Sequence, residues 1–102
     1  IFIILFSSSA NAVGLDTSSE FLKWERGQKD YFLQVSVVTA ITIATQVRKA
    51  LGSCISDWYS SDAAIIKQRH DEVLGVMKRL PEHHPSAIVL AVLQKKCGKF
   101  AP

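Results

Sequence analysis

The residues able to do chemistry are few. His70, His83 and His84, with Glu72 and Glu82 nearby in sequence, are the candidates for a metal centre, and Cys54 and Cys97 are the two thiols. Adjacent histidines such as His83 and His84 rarely turn toward one ion, and no fourth ligand stands at helical spacing from them. A solvated turn is the better account of Glu82-His83-His84. A nucleophilic Cys-His pair would need a free thiolate, and a disulfide would consume both cysteines. No GxSxG, HExxH, CxxC, Walker loop or dinucleotide fingerprint is present. The expectation is a protein without catalytic residues, metal or cofactor.

What remains is a question of where the chain resides and what positions its side chains. Ile1 to Phe6 is an unbroken apolar run, followed by three serines and Ala10-Asn11-Ala12. The alanines supply the A-x-A pattern of signal-peptidase cleavage. The run is shorter than the roughly 20 apolar residues of a membrane span. With no Met and no basic segment ahead of it, residues 1–12 read as a truncated signal peptide. Residues 13–102 read as the mature domain, periplasmic or secreted, with no membrane span. In an oxidising compartment a lone cysteine pair bridges, so a Cys54–Cys97 disulfide is expected. The formal charge of +3 is spread thinly, without a run of basic residues, which argues against nucleic-acid binding.

The pattern predicts an all-α domain of about four helical segments joined by short loops. Thr17-Ser18-Ser19-Glu20 has the form of a capping box ahead of Phe21, Leu22 and Trp24, with Gly27 as a stop. Phe21 and Trp24 share a helical face and are expected in the core. From Gln28 to Leu51 there is no Gly or Pro. Thr39, Thr42, Gln46 and Lys49 form a polar stripe at helical spacing. Phe32, Val35, Val38, Ile41, Val47, Ala50 and Leu51 cover the other faces, so this long helix should be largely buried and end at Gly52. Cys54 then opens a loop through Ile55, Ser56, Asp57, Trp58 and Tyr59. Ser60, Ser61 or Asp62 caps a third helix, whose stripe of Ile66, Val73, Met77 and Leu80 ends before Pro81. His84 and Pro85 start a fourth helix that carries Ile88, Val89, Val92 and Leu93 and ends at Cys97-Gly98. The disulfide would join the ends of the second and last helices. Trp58 either packs beneath its loop or offers an aromatic contact of the kind that dominates protein–protein hot spots.

Phe21-Leu22-x-Trp24, Gln28-Lys29 with an aromatic start to a long helix and a Cys beyond it, and Leu80-Pro81-Glu82-His83-His84 before an apolar helix ending in Cys97, together resemble small exported proteins of the Rap/Tai immunity type. The likeness runs from about Ser18 to Cys97. Two positions depart from it: Ser36 and Ala40 stand where relatives carry glycine, and Leu80 precedes Pro81-Glu82 where they carry His. The resemblance implies a periplasmic, disulfide-linked, often homodimeric binding protein that blocks a peptidoglycan amidase delivered by type VI secretion. By the same analogy the segment Ile55 to Asp62, with Ile55, Ser56, Asp57, Trp58, Tyr59 and Asp62, is the expected partner-binding surface. An alternative is an acid-stress chaperone of the HdeA type, although in that class the first Cys normally precedes the Phe-Leu motif. A third is an envelope protein with another partner.

Overall fold

The computed structural model describes residues 17–100. The expected signal-peptide remnant, residues 1–12, lies outside them. The described chain is all-α, five helices packed into a single domain and joined by one disulfide.

Helix α1, Ser18–Phe21, starts where the capping box places it. Thr17 Oγ1 accepts from the Glu20 amide at 3.2 Å. Glu20 itself turns away to Lys23, 3.5 Å distant, so half of the box forms. The Ser18 amide and hydroxyl both donate to the His83 carbonyl at 2.7 Å, which ties this short helix to the turn that contains His83, 65 residues further along the chain. Gly27 does not stop α1. It lies in the first turn of α2, Arg26–Val47.

Helix α2 ends earlier than expected. Arg48 is extended, with φ −152°, and serves both sides of the break. Its amide donates to the Ala44 carbonyl at 2.8 Å and its carbonyl accepts from Leu51 at 3.0 Å. The chain re-enters helix as α3, Lys49–Tyr59. Gly52 is therefore an interior residue of α3 and not a helix stop. Its lack of a side chain is needed, because a Cβ there would run into the side chain and backbone of Thr45. Leu51, Ile55 and Tyr59, spaced four apart, are buried along one stripe of α3. A straight continuation of α2 would carry them away from the core, and burying each contributes about 1.5–3 kcal/mol.

Ser60, with φ 70°, ends α3. Asp62 then caps α4, Ala63–Arg79, accepting from Ala64 at 2.8 Å and Ile65 at 3.2 Å. Val73 and Met77 of the expected stripe are buried, while Leu80 is exposed at the helix end. Helix α5, Pro85–Cys97, starts on His84, whose Nδ1 accepts from Ser86 at 3.0 Å, and stops at Gly98, with φ 105°. Phe21, Leu33, Val37, Leu51, Ile55, Val73, Met77, Ile88 and Leu93 make the core. Trp24 packs on it as expected, 5.0 Å from Phe21 between ring centroids.

The disulfide joins Cys54, midway along α3, to Cys97, the last residue of α5, with Cα atoms 5.8 Å apart. It closes a span of 43 residues and contributes about 4 kcal/mol in the chain-entropy model.

Candidate interaction surface

The expected contact segment is not a loop. Ile55, Ser56, Asp57, Trp58 and Tyr59 belong to the last two turns of α3. Ile55 is fully buried and Tyr59 is 5 % exposed, so neither offers a surface. Ser56 and Asp57 are exposed and, with Ser60 and Ser61, line a shallow polar hollow. Asp62 is exposed but occupied as the α4 cap. Trp58 is half-buried. The Arg69 guanidinium lies 5.1 Å from its ring centroid, and Arg69 Nε donates to the Trp58 carbonyl at 2.6 Å. The indole Nε1 is buried without a hydrogen-bond partner among the described residues.

Tyr59 instead ends a hydrogen-bonded chain through the core. Asp30 Oδ1 is 2.8 Å from His70 Nδ1, and His70 Nε2 is 2.6 Å from the Tyr59 hydroxyl. A carboxylate only accepts, so Nδ1 carries the proton; in the neutral imidazole Nε2 then accepts from Tyr59. Burial pushes the Tyr59 phenol up to about 12, and the negative Asp30 adds to that. Burial alone would raise the Asp30 carboxyl. The hydrogen bonds from His70 and Arg26, with the charge of the guanidinium, outweigh it and hold that carboxyl below its ordinary value. Arg26 reaches Asp30 and Asp71, each at 2.9 Å, and its own pKa rises with those contacts. His70 is 4 % exposed and closed off from solvent. The chain joins α2, α3 and α4 and fixes their mutual rotation. His83 and His84 lie at the α4–α5 turn, away from His70, and among the described residues no cluster of three or more His, Cys, Asp or Glu side chains is placed to hold a metal ion. No described helix is long and apolar enough to cross a membrane.

The large accessible surface lies on α2. Only Leu33, Val37 and Ala44 of this helix are buried. The expectation of a largely buried helix is corrected, since its packed neighbours lie along one side only. Val35, Val38 and Val47 are about half exposed, as is Ile43, and Tyr31 is 71 % exposed. From Tyr31 to Val47 there is no charged residue. Two open apolar hollows of about 540 and 470 Å³ lie along this helix and share Val35 and Ser36. The first is lined by Trp24, Tyr31 and Phe32. The second lies between α2 and α5, lined by Thr39, Ala40, Ile43, Val89, Leu90 and Phe100. Together they form one neutral apolar groove. Contiguous apolar surface of this kind marks interaction sites, and a helical groove of this shape suits an apolar helix face from a partner. The uncharged stretch from Tyr31 to Val47 was the sequence signal for it.

No protein-family model, no curated protein and no solved structure matches this chain.

Proposed function

We propose that this chain is a non-enzymatic, exported binding protein that acts by covering a site on another protein with the groove between α2 and α5. The observation that carries the reading is the uncharged apolar groove from Trp24 to Phe100, open to solvent beside the packed core. A protein without this role would lose solubility by exposing Tyr31, Ile43 and Leu90 together and gain nothing from it. Export is supported by the A-x-A pattern before Val13 and by the Cys54–Cys97 bridge. Within this reading the partner is a peptidoglycan amidase, in keeping with the immunity-type resemblance of the segment Ser18 to Cys97. The exported chain, mixed with an amidase of Cys-His type encoded beside it, is expected to form a stoichiometric complex and stop peptidoglycan cleavage. Full cleavage in the presence of excess chain opposes this partner.

A second reading, an acid-stress chaperone, draws on Asp30, whose ionised carboxylate holds α2 to α4 and is lost in acid. Suppression of client aggregation near pH 2, without amidase inhibition, favours it.

A further inference from the structure

We infer that the end of the domain where α5 stops is a basic surface that docks on an anionic phospholipid membrane. Its cations are scattered in sequence and gathered by the fold. Arg48 Nη2 donates to the carbonyl of Lys99, 51 residues further on, at 3.2 Å. The Cys54–Cys97 bridge holds the last turn of α5, which carries Lys95 and Lys96, against α3, which opens at Lys49. All five basic side chains are exposed. No Asp or Glu occurs from Tyr31 to Ser56 or from Pro85 to Pro102. One carboxylate reaches the group from another helix, that of Glu72 on α4, 2.8 Å from Lys96. Five cations against that carboxylate exceed the +3 of the whole chain, so the rest of the sequence is net negative and the charge is polarised toward this end.

Helix electrostatics accounts for part of the group. Lys95 and Lys96 stand in the last turn of α5, where a cation complements the carbonyl end of the helix. Arg48 and Lys49 stand at the N-terminus of α3, where a cation opposes the helix dipole, and the first turn of α3 holds no acidic residue to offset them. Lys49, Lys95 and Lys99 make no ion pair among the described residues. Cations placed where they weaken their own helix point to a role outside the fold. A lipid surface is the occupant this end fits. The exposed neighbours of Arg48 and Lys49 are Gln46, Val47, Ala50 and Ser53, none of them a large aromatic anchor of the kind that dominates protein hot spots. Lysines without fixed partners suit a layer of mobile phosphates, which demands no matching shape. Each cation brought near an anionic bilayer raises partitioning about fivefold, and roughly four to eight together make a stable surface site.

This docking is independent of the amidase contact and is tested without it. The exported protein is floated with vesicles of phosphatidylcholine, alone or with about 30 mol% phosphatidylglycerol. Binding is expected on the anionic vesicles at about 0.1 M salt, to be lost at about 1 M salt, and to be absent on phosphatidylcholine alone. Lys49→Gln and Lys99→Gln are each expected to lower it about fivefold. Lys49→Gln is expected to melt no lower than wild type, because a charge unfavourable to α3 has gone. Lys78→Gln, at the opposite end of α4, and Leu90→Ser, in the groove, are expected to bind vesicles as wild type does. A protein that ignores the anionic vesicles overturns the inference. So does loss of binding in Leu90→Ser, which would show adsorption through the groove. Variants Lys49→Gln and Lys99→Gln that keep vesicle binding and lose amidase inhibition would make this end a contact for an acidic protein and overturn it equally.

Discussion

His70 Nδ1 lies 2.8 Å from Asp30 Oδ1 and so joins α4 to α2 across 40 residues of sequence. The contact holds only while Asp30 is ionised. Its carboxyl titrates below the ordinary value in the folded chain, so the folded state binds fewer protons than the unfolded one in acid. The stabilisation is complete above the unfolded value of about 3.9 and is lost as pH falls through the folded value. The melting temperature is expected to drop through this window. Asp30→Asn should cost about 1 kcal/mol or more at neutral pH and flatten the acid dependence. An unaltered acid profile in that variant contradicts the assignment.

Tyr59 controls the alkaline limit. Its phenol is raised from 10.0 to about 12, so the stability it contributes is fully present below pH 10 and is lost as pH rises from there through about 12. The chain has two tyrosines. In a Tyr31→Phe background the remaining phenol is expected to ionise near pH 12 by absorbance at 295 nm, together with loss of helix. Ionisation near 10 with the helix intact would show that the hydroxyl is not held by His70.

Two glycines in helices should respond oppositely to a methyl group. Gly52→Ala places a Cβ against Thr45 and is expected to destabilise by about 1–3 kcal/mol. A Cβ at Gly75, inside α4, meets nothing within 4 Å. Gly75→Ala is expected to stabilise by up to about 1 kcal/mol. Urea unfolding of both variants checks the pair, and equal effects would contradict the break at Arg48 as drawn.

Opening the Cys54–Cys97 bridge should remove about 4 kcal/mol. The paired Cys54→Ser and Cys97→Ser variant is expected to melt well below the oxidised protein, with α3 the first helix to lose amide protection. An unchanged melt on reduction would show that packing alone holds α3 to α5.

Much of this architecture is written in local chemistry. Thr17, Asp62 and His84-Pro85 mark helix starts because each acts on backbone amides two or three residues away. Gly98 marks an end through its positive φ, and the cysteine pair needed no further partner to be read. The break at Arg48 is not local. Lys49 to Tyr59 would continue a helix equally well, and the turn is decided by where Leu51, Ile55 and Tyr59 find burial. Gly52, read as a helix stop, suggested a loop from Cys54, yet the four-residue spacing of Leu51, Ile55 and Tyr59 was the stronger signal. The Asp30–His70–Tyr59 chain was illegible because its members come from three helices. The α2 groove was hidden by the assumption that an apolar helix is a covered one, which a domain with neighbours on one side of α2 cannot satisfy.

The central claim, that this protein binds through the groove between α2 and α5, is tested most directly by mapping amidase inhibition onto the surface. Titration of a cognate peptidoglycan amidase with Leu90→Asp or Ile43→Asp is expected to need at least about tenfold more protein than wild type for equal inhibition. Asp57→Lys, at the polar end of α3, is expected to inhibit as wild type does. Full inhibition by both groove variants, with loss in Asp57→Lys, contradicts the claim and returns the contact to the segment from Ser56 to Asp62.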